Sequence, residues 1–328
     1  MKEPSRECIV MGDTSLVVVN FGSPELVQRL LRSLSAHGDR ELVREVVVVD
    51  NGYPEKGDSR DAIDPSHYPF PVSFVQNKAR SYASGCNCGV AATSSEFVAI
   101  SNNDVEWTDA ECLGPLLGTL VEDEWVFAVG PQLLYPDGRW QCSYRNFPSV
   151  GRALTGLVFW DSVWNAIAAW RFGRAKTAAG TRSVPYIDGA FMLLRRKHLD
   201  ALGGFDEGFD FYGEEADLCW RARQAGLNRV TVPSARLVHL RGATATAVAP
   251  IEFSHRQFAA GCAFIAKNFG QSRAKVFDAI QRIGAWERAV AYQIIATLIR
   301  TPPWKRRAAA ATATARAAFR PTSWKSGW

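Results

Sequence analysis

Short runs of β-branched and aliphatic residues alternate with helix-spaced leucines along the first hundred positions, and each apolar run stops at Asn or Asp. "TSLVVVNFG" (14–22) is apolar on successive positions, the pattern of a strand buried on both faces. "SPELVQRLLRSLSAHG" (23–38) follows, with Pro24 suited to the first helical position and Leu26, Leu30, Leu31 and Leu34 at helical spacing. "LVREVVVVDNG" (42–52) predicts a second buried strand, 53–71 a loop with prolines and acids, and "VSFVQN" (72–77) a third strand. "KARSYASGCNCGVAATS" (78–94) reads as a Gly-rich turn feeding a helix of small residues, and "EFVAISNND" (96–104) as a fourth strand. This β-α alternation predicts an α/β fold with a mainly parallel, Rossmann-like sheet flanked by helices. Ligands of such sheets bind beyond the carboxyl ends of the strands. Asn20, Asp50, Asn51, Asn77, Asn102 and Asp104 all stand at such ends, which points to one shared crevice.

Beyond residue 104 the pattern predicts an amphipathic helix over 109–124, then a strand, a turn at Pro136-Asp137-Gly138 and a further strand over 125–141. In 142–183 the tryptophans Trp160, Trp164 and Trp170 read as packing residues and 173–183 as a mobile loop. Residues 184–226 carry a strand, a short helix, a Gly-Gly turn, a cluster of aromatics and acids, and another helix; 227–242 read as two short strands ending at His239. The remainder is helical in pattern, with breaks expected at Gly270, Gly284 and Pro302-Pro303.

The 328 residues are 47% hydrophobic and 22% charged, a balance that sustains a globular core and excludes a disordered chain. The formal charge of +5 matters less than its placement: from Arg300 onward there are seven Lys/Arg and no acid. Seven scattered cysteines without a CxxC pair suit free thiols in a reducing cytosol. The N-terminal stretch, with Glu7 and Asp13, does not read as a signal peptide, and no stretch of 18 apolar residues predicts a membrane span. A cytoplasmic protein, peripheral on the inner face of the cell membrane if it meets a membrane, is the expectation. Neither GxGxxG after the first strand nor GxxxxGK[ST] occurs, which argues against a dinucleotide fingerprint and a P-loop.

Glu214, Glu215 and Asp217 lie at a predicted helix start after Gly213. Capping and the helix dipole account for one or two of them, and Asp217 with Arg221 makes an i,i+4 pair. A carboxylate facing a cleft there can also take a proton from a sugar hydroxyl. His239 alone reads most simply as structural; together with Asp104 it can share a divalent ion, Mn2+ or Mg2+, whose shell substrate phosphates complete.

Six stretches in a fixed order, "VVVNFGSPELVQRLLRSL", "VVVVDNG", "NKARSYASGCNCG", "FVAISNNDVEW", "DGAFMLLRRKHLDALGGFDEGFDFYGEEADLCWRARQAG" and "VPSARLVHLRG", resemble the inverting family 2 glycosyltransferases with a GT-A fold, most of all their bacterial rhamnosyltransferase branch. The resemblance spans about residues 14–242 and implies a catalytic domain over 1–250, with a donor half at about 14–104 and an acceptor and base half at about 125–242, followed by a helical, basic extension over 251–328. It implies that Asn20, Asp50, Asn51 and Asn77 line a nucleoside pocket, with Gly85 and Asn87 in the turn that closes beside it. It further implies that Asn102-Asn103-Asp104 stands for the family's Asp-x-Asp with Asp104 as metal ligand, that His239 joins the same metal, and that Asp188 faces donor sugar and acceptor. The family's base is the second acid of a Glu-Asp pair; here the pair is Glu214-Glu215, which implies Glu215, with Glu214 and Asp217 in reserve.

The implied activity is metal-dependent transfer of a sugar, L-rhamnose from dTDP-rhamnose, to a cell-envelope glycan or polyprenyl-linked acceptor. The same fold with UDP-galactofuranose or UDP-glucose, or a non-catalytic glycan-binding or scaffold protein, are the alternatives. Aromatic and basic residues interleaved over 286–328 suit contact with a membrane surface; packing or a homodimer is the other reading. No nucleic-acid-binding module accompanies the basic tail.

Overall fold

The computed structural model describes residues 14–51, 58–79, 81–108, 110–157, 180–209, 211–240 and 250–319. Two compact units emerge from it. The first comprises Met1–Phe147, Ala178–Asp210 and Glu214–Thr244; the second comprises Pro148–Thr177, Phe211–Gly213 and Ala245–Trp328.

The first unit is built on strands β1 (Thr14–Asn20), β2 (Val43–Asp50), β3 (Val72–Gln76), β4 (Phe97–Asn102), β5 (Val105–Trp107), β6 (Val126–Leu134), β7 (Tyr144–Arg145), β8 (Arg182–Ser183), β9 (Tyr186–Ile187), β10 (Phe191–Arg195) and β11 (Asn228–His239). Their main sheet runs in the order β3-β2-β1-β4-β10-β6-β11-β5, with β8 beside β11, while β7 and β9 form a separate pair. β3, β2, β1 and β4 are mutually parallel, as are β6 and β11. β10 runs antiparallel between β4 and β6. This reversal brings the start of β10 to the carboxyl end of β4.

The continuous apolar runs have the cause their pattern suggests, since both sheet faces are covered. Leu16, Val18, Val46 and Val48 enter one core with Val27, Leu30, Leu31 and Leu34 of helix Pro24–Ala36. On the opposite face helix Tyr82–Ala91 comes so close that a β-carbon on Gly89 would stand 2.1 Å from Val17 Cγ1 and 3.0 Å from Val49 Cγ2. Only glycine permits that approach.

Several expected elements differ in detail. The 53–71 loop carries a short helix at Ser59–Ala62 and a 3-10 turn at Pro65–His67, each capped by an aspartate, Asp58 and Asp64. Gly85 and Asn87 lie within helix Tyr82–Ala91 and not in a turn ahead of it, because Ser81 caps the helix at the Ser84 amide. Within 227–242, Asn228–His239 form one long strand, β11, and not two, because its pairing with β6 shifts register between Val232 and Arg236 and so accommodates Pro233. Residues 182–183, expected in a mobile loop, pair with β11 as β8, and 180–181 before them are exposed; 173–179, and Trp160, Trp164 and Trp170, lie outside the described residues. Cys86, Cys88, Cys112, Cys142, Cys219 and Cys262 are free.

In the second unit helices Val150–Leu157, Pro250–Phe269, Gln271–Ile299 and Pro302–Ala318 pack together. The chain breaks at Gly270 (φ 91°) and at Arg300 (φ 57°) before Pro302, as the glycine and proline predict. It does not break at Gly284, which sits inside Gln271–Ile299 where a β-carbon would come within 3.0 Å of Leu157 Cδ2. Gly284 serves helix packing there. Among the described residues no helix is long and apolar enough to cross a membrane.

Candidate active site

Parallel pairing aligns the ends of β1, β2 and β3, and their terminal polar side chains meet. The Asn20 amide donates to Asp50 Oδ1 at 2.8 Å and Ser59 Oγ at 2.9 Å, and its oxygen accepts from the Ser23 amide at 3.1 Å and Asn103 Nδ2 at 2.7 Å. Every hydrogen-bonding site of that side chain is thereby used. Asp50 also accepts from the Ser59 amide and hydroxyl at 2.9 and 2.6 Å. Burial pushes its carboxyl above the usual carboxylate range, opposed by the Ser59 and Asn20 hydrogen bonds. Asn51 donates to the Ser81 carbonyl at 2.9 Å and accepts from Asn77, which also donates to Ser84 Oγ at 2.7 Å. Asn20, Asn51, Asn77 and Asn103 are all buried, so this network braces the floor of the strand ends.

Gly85 sits against the same floor: its β-carbon would stand 3.0 Å from Val19 Cγ1 and 3.4 Å from Asn51 Nδ2. Asn87 faces elsewhere. Its amide nitrogen donates to the Phe205 carbonyl at 2.8 Å and Glu207 at 2.9 Å, and its oxygen accepts from the Phe205 amide at 2.9 Å. It clamps the turn in which Gly203 and Gly204 adopt φ of 77° and 72°.

β4 ends at Asn102, whose amide donates to the Ala190 carbonyl at 3.0 Å, and the chain turns through Asn103 and Asp104 into β5. β5 pairs antiparallel with β11 in the register Val105↔His239, which puts Asp104 beside the histidine. His239 Nε2 lies 3.3 Å from Asp104 Oδ1, both residues are buried, and the Leu240 amide donates to the Asp104 carbonyl at 2.9 Å. The other ring nitrogen, Nδ1, meets Gln141 Oε1 at 2.5 Å. Two ligand atoms about 2.1 Å from one Mg2+ or Mn2+ stand about 3 Å apart, so a carboxylate oxygen and an imidazole nitrogen at this separation fit a shared divalent ion. Among the described residues no third His, Cys, Asp or Glu joins them, so the remaining ligands would come from phosphate or water.

The third group gathers at the start of β10. Asp188 Oδ2 accepts from Arg145 Nε and Nη2 at 3.2 and 3.1 Å, and Oδ1 from the Ala190 amide at 3.2 Å. Gly189 follows, with the Tyr82 hydroxyl donating to its carbonyl at 2.9 Å. The Glu215 carboxyl lies against Gly189, 3.6 Å from where a β-carbon would stand. Burial pushes the Tyr82 phenol well above its ordinary value, reinforced by Cys86 and by the Glu214 and Glu215 carboxylates; burial and then Glu215 do the same to Tyr186. Glu214, Glu215 and Asp217 open helix Glu214–Gln224, with Arg221 and Arg223 in its last turn, matching the helix dipole at both ends. Asp217 is fully buried and bound to Arg221 at 2.8 Å, whose other nitrogens donate to the Leu202 and Gly204 carbonyls at 2.6 and 2.8 Å. Of the three acids Glu214 and Asp217 are buried and Glu215 is half-buried, with its Oε2 turned inward.

The three groups share one end of the sheet. Asn103 and Asp104 are consecutive, Asn102 bonds Ala190, and the Asp188 amide donates to the Ser143 carbonyl at 3.0 Å, two residues from Gln141. Asn87 and Asp217 stand apart from them, engaged by the 202–207 turn. Gln141, Arg145, Tyr82, Tyr186 and Ser59 belong to the site and carry no motif of their own.

A family model described as Glycosyl transferase family 2 matches residues 15–203. Mycobacterium tuberculosis N-acetylglucosaminyl-diphospho-decaprenol L-rhamnosyltransferase is 28% identical over 239 residues, which cover 68% of this chain and 75% of that protein. The O-antigen biosynthesis protein RfbC of Myxococcus xanthus is 31% identical over 239 residues, 70% of this chain but only 17% of that protein. Among solved structures, the mannosyltransferase PcManGT from Pyrobaculum calidifontis, in complex with GDP-Man and Mn2+, superposes with a TM-score of 0.58 at 17% identity, covering 94% of this chain and 86% of that one. GalNAc-T7 with UDP, GalNAc and Mn2+ gives 0.54 at 15% identity, over 78% and 50%. These structural likenesses are of fold.

Proposed function

The chain belongs to glycosyl transferase family 2 and has a GT-A fold, and from that premise we propose that it transfers L-rhamnose from dTDP-rhamnose to a polyprenyl-linked or cell-envelope glycan acceptor, with inversion at the anomeric carbon. The choice of sugar and acceptor rests on the likeness to the mycobacterial L-rhamnosyltransferase, whose own acceptor is a decaprenol-diphosphate-linked N-acetylglucosamine. UDP-glucose and UDP-galactofuranose are the competing donors.

The observation that carries the reading is the meeting of β4 and β10: Asp104 with His239 beyond one, and Gly189 with Glu215 before the other, joined by the Asn102–Ala190 hydrogen bond. In this reading the ends of β1–β4 form the floor under the nucleoside, which buried Asn20, Asp50, Asn51, Asn77 and Asn103 hold in shape with Asn102 at its edge, and Asp104 and His239 would hold Mn2+ or Mg2+. When bound, the ion neutralises charge on the leaving diphosphate. Glu215, the most accessible of the three acids, accepts the proton of the acceptor hydroxyl. The hydroxyl oxygen bonds to the anomeric carbon as the bond from that carbon to the diphosphate oxygen breaks, and the nucleoside diphosphate leaves with that electron pair. Asp188, held by Arg145, orients sugar and acceptor. Asp217 stays with Arg221 as a brace, and Glu214 is buried in the same helix turn.

The same proposal includes contact with an anionic membrane surface through the second unit. Supporting it is a shallow, open apolar groove lined by Trp286, Val290, Ile294, Ala315, Arg316 and Phe319. Ile283, Trp286, Ile294 and Leu298 are exposed along one helix, and Arg300, Lys305, Arg306, Arg307 and Arg316 follow without an acid. Apolar groups beside uncompensated positive charge complement acidic lipid. The test of the activity is a set of nucleotide sugars incubated with Mn2+ and a polyprenyl-diphosphate sugar, with transfer read by mass. Rhamnosyl transfer supports the reading, transfer of another sugar replaces the donor, and no transfer from any donor overturns it.

A further inference from the structure

Resting on the reading of Asp104 and His239 as the ion-binding pair, we propose that Gln141 is a positioning residue that locks the His239 ring with hydrogen on Nδ1 and the Nε2 lone pair turned to Asp104. The hydrogen bonds dictate the hydrogen on Nδ1 without reference to any ion. Gln141 Nε2 lies 3.2 Å from the His239 carbonyl oxygen. A carbonyl only accepts, so the Gln141 atom facing it is the NH2 group and the atom facing Nδ1 at 2.5 Å is the amide oxygen. That oxygen also only accepts, so Nδ1 must carry hydrogen. In the neutral ring Nε2 is then an acceptor, and it faces a second acceptor, Asp104 Oδ1, across 3.3 Å. Two acceptors face to face in a buried place repel each other; a cation between them, a metal ion or a proton on Nε2, turns that repulsion into attraction, and with Nδ1 already carrying hydrogen the Nε2 side is the one left open to a metal.

Gln141 is itself held. Its amide donates to the Leu133 carbonyl at 2.9 Å, and its carbonyl accepts from Gln132 Nε2 at 2.7 Å and Ser143 Oγ at 3.2 Å. It is 4% exposed, and both ends of its side chain engage the same histidine, once at the ring and once at the backbone. A glutamine that only filled space would not need that double grip.

The full chain gives the test. Long-range proton–nitrogen spectra of the metal-free protein, with the His239 ring assigned by its loss in His239→Gln, report which nitrogen bears hydrogen. The native ring is expected as the Nδ1–H form. Gln141→Leu should move it toward the Nε2–H form and weaken Mn2+ binding, followed by electron paramagnetic resonance, by about 10–100-fold. Gln141→Glu, which still accepts from Nδ1 but loses the donor to the His239 carbonyl, should keep hydrogen on Nδ1. An Nε2–H ring in the native protein, or a ring unchanged in Gln141→Leu, overturns the proposal; the native spectrum decides even if the leucine variant fails to fold. Mn2+ binding equal in native protein and Asp104→Ala overturns the ion-binding reading instead, and leaves the spectrum to judge the tautomer lock separately.

Discussion

The carboxyl group of Glu215 rests on Gly189: a β-carbon built there would stand 3.6 Å from Glu215 Cδ and 3.7 Å from Oε1. That is ordinary van der Waals contact, and Gly189 is not among the glycines with positive φ. Gly189→Ala should therefore fold with a stability within about 1 kcal/mol of native. The new methyl occupies space beside the carboxylate, so turnover should fall about tenfold or more while the melting temperature holds. Thermal unfolding and a transfer assay on the same preparation check both halves.

Asp217 tests the separation of brace from base. It is fully buried, and Arg221 ties it to the carbonyls of the 202–204 turn. Removing Asp217 leaves Arg221 its two carbonyl acceptors and partial exposure but loses the charge-assisted bond, at a cost of about 1–3 kcal/mol. Asp217→Ala should lower the denaturation midpoint accordingly, whereas Glu215→Gln should leave it nearly unchanged. Equal midpoints for native protein and Asp217→Ala would remove the brace.

Tyr82 and Tyr186 give a dependence on pH. Burial first, then Cys86 and the Glu214 and Glu215 carboxylates at Tyr82 and Glu215 at Tyr186, raise both phenols above the ordinary value of 10.0. A group whose folded pKa exceeds its unfolded one contributes stability fully present below the unfolded value and lost as pH rises toward the folded one. Native absorbance at 295 nm should show Tyr82 and Tyr186 silent through the range where an ordinary phenol ionises, with Tyr68, which burial also raises, ionising late. Stability should fall from about pH 10 upward. Phenylalanine at both positions should flatten that fall; an unaltered slope contradicts the assignment.

The parallel half of the sheet was readable because its cause is local. Each of β1, β2 and β4 is an apolar run covered on both faces, and its terminal Asn or Asp marks the carboxyl end. What escaped depends on distant partners. Gln141 sits after an ordinary turn, and its role arises because β5–β11 pairing carries His239 to it from 98 positions away. Asp39 resembles any loop acid, yet its Oδ2 accepts from Trp107 Nε1 and from the Cys112 and Leu113 amides, at 3.0, 3.0 and 2.9 Å, covering the start of helix Leu113–Glu122. Pro233 and Gly284 mislead for one reason: each breaks an isolated element, but a bulge absorbs the first and close helix packing uses the second.

The exposed apolar face of the second unit yields a vesicle experiment. Trp286, Ile294 and Leu298 are 59%, 56% and 76% exposed. Replacing all three with serine should abolish sedimentation with vesicles containing phosphatidylglycerol while leaving the far-ultraviolet spectrum unchanged. Native binding should weaken as salt rises. Concentration-dependent dimerisation of the native chain, lost in the triple variant without any vesicle binding, would assign this face to self-association.

In the proposed transfer Glu215 takes the proton while the donor is held at Asp104 and His239. Single-turnover transfer by Glu215→Gln, measured with donor affinity on the same protein in the presence of Mn2+, addresses it most directly. The account predicts native donor affinity and a rate reduced about 100-fold or more. A near-native rate contradicts it and moves the proton to another acid.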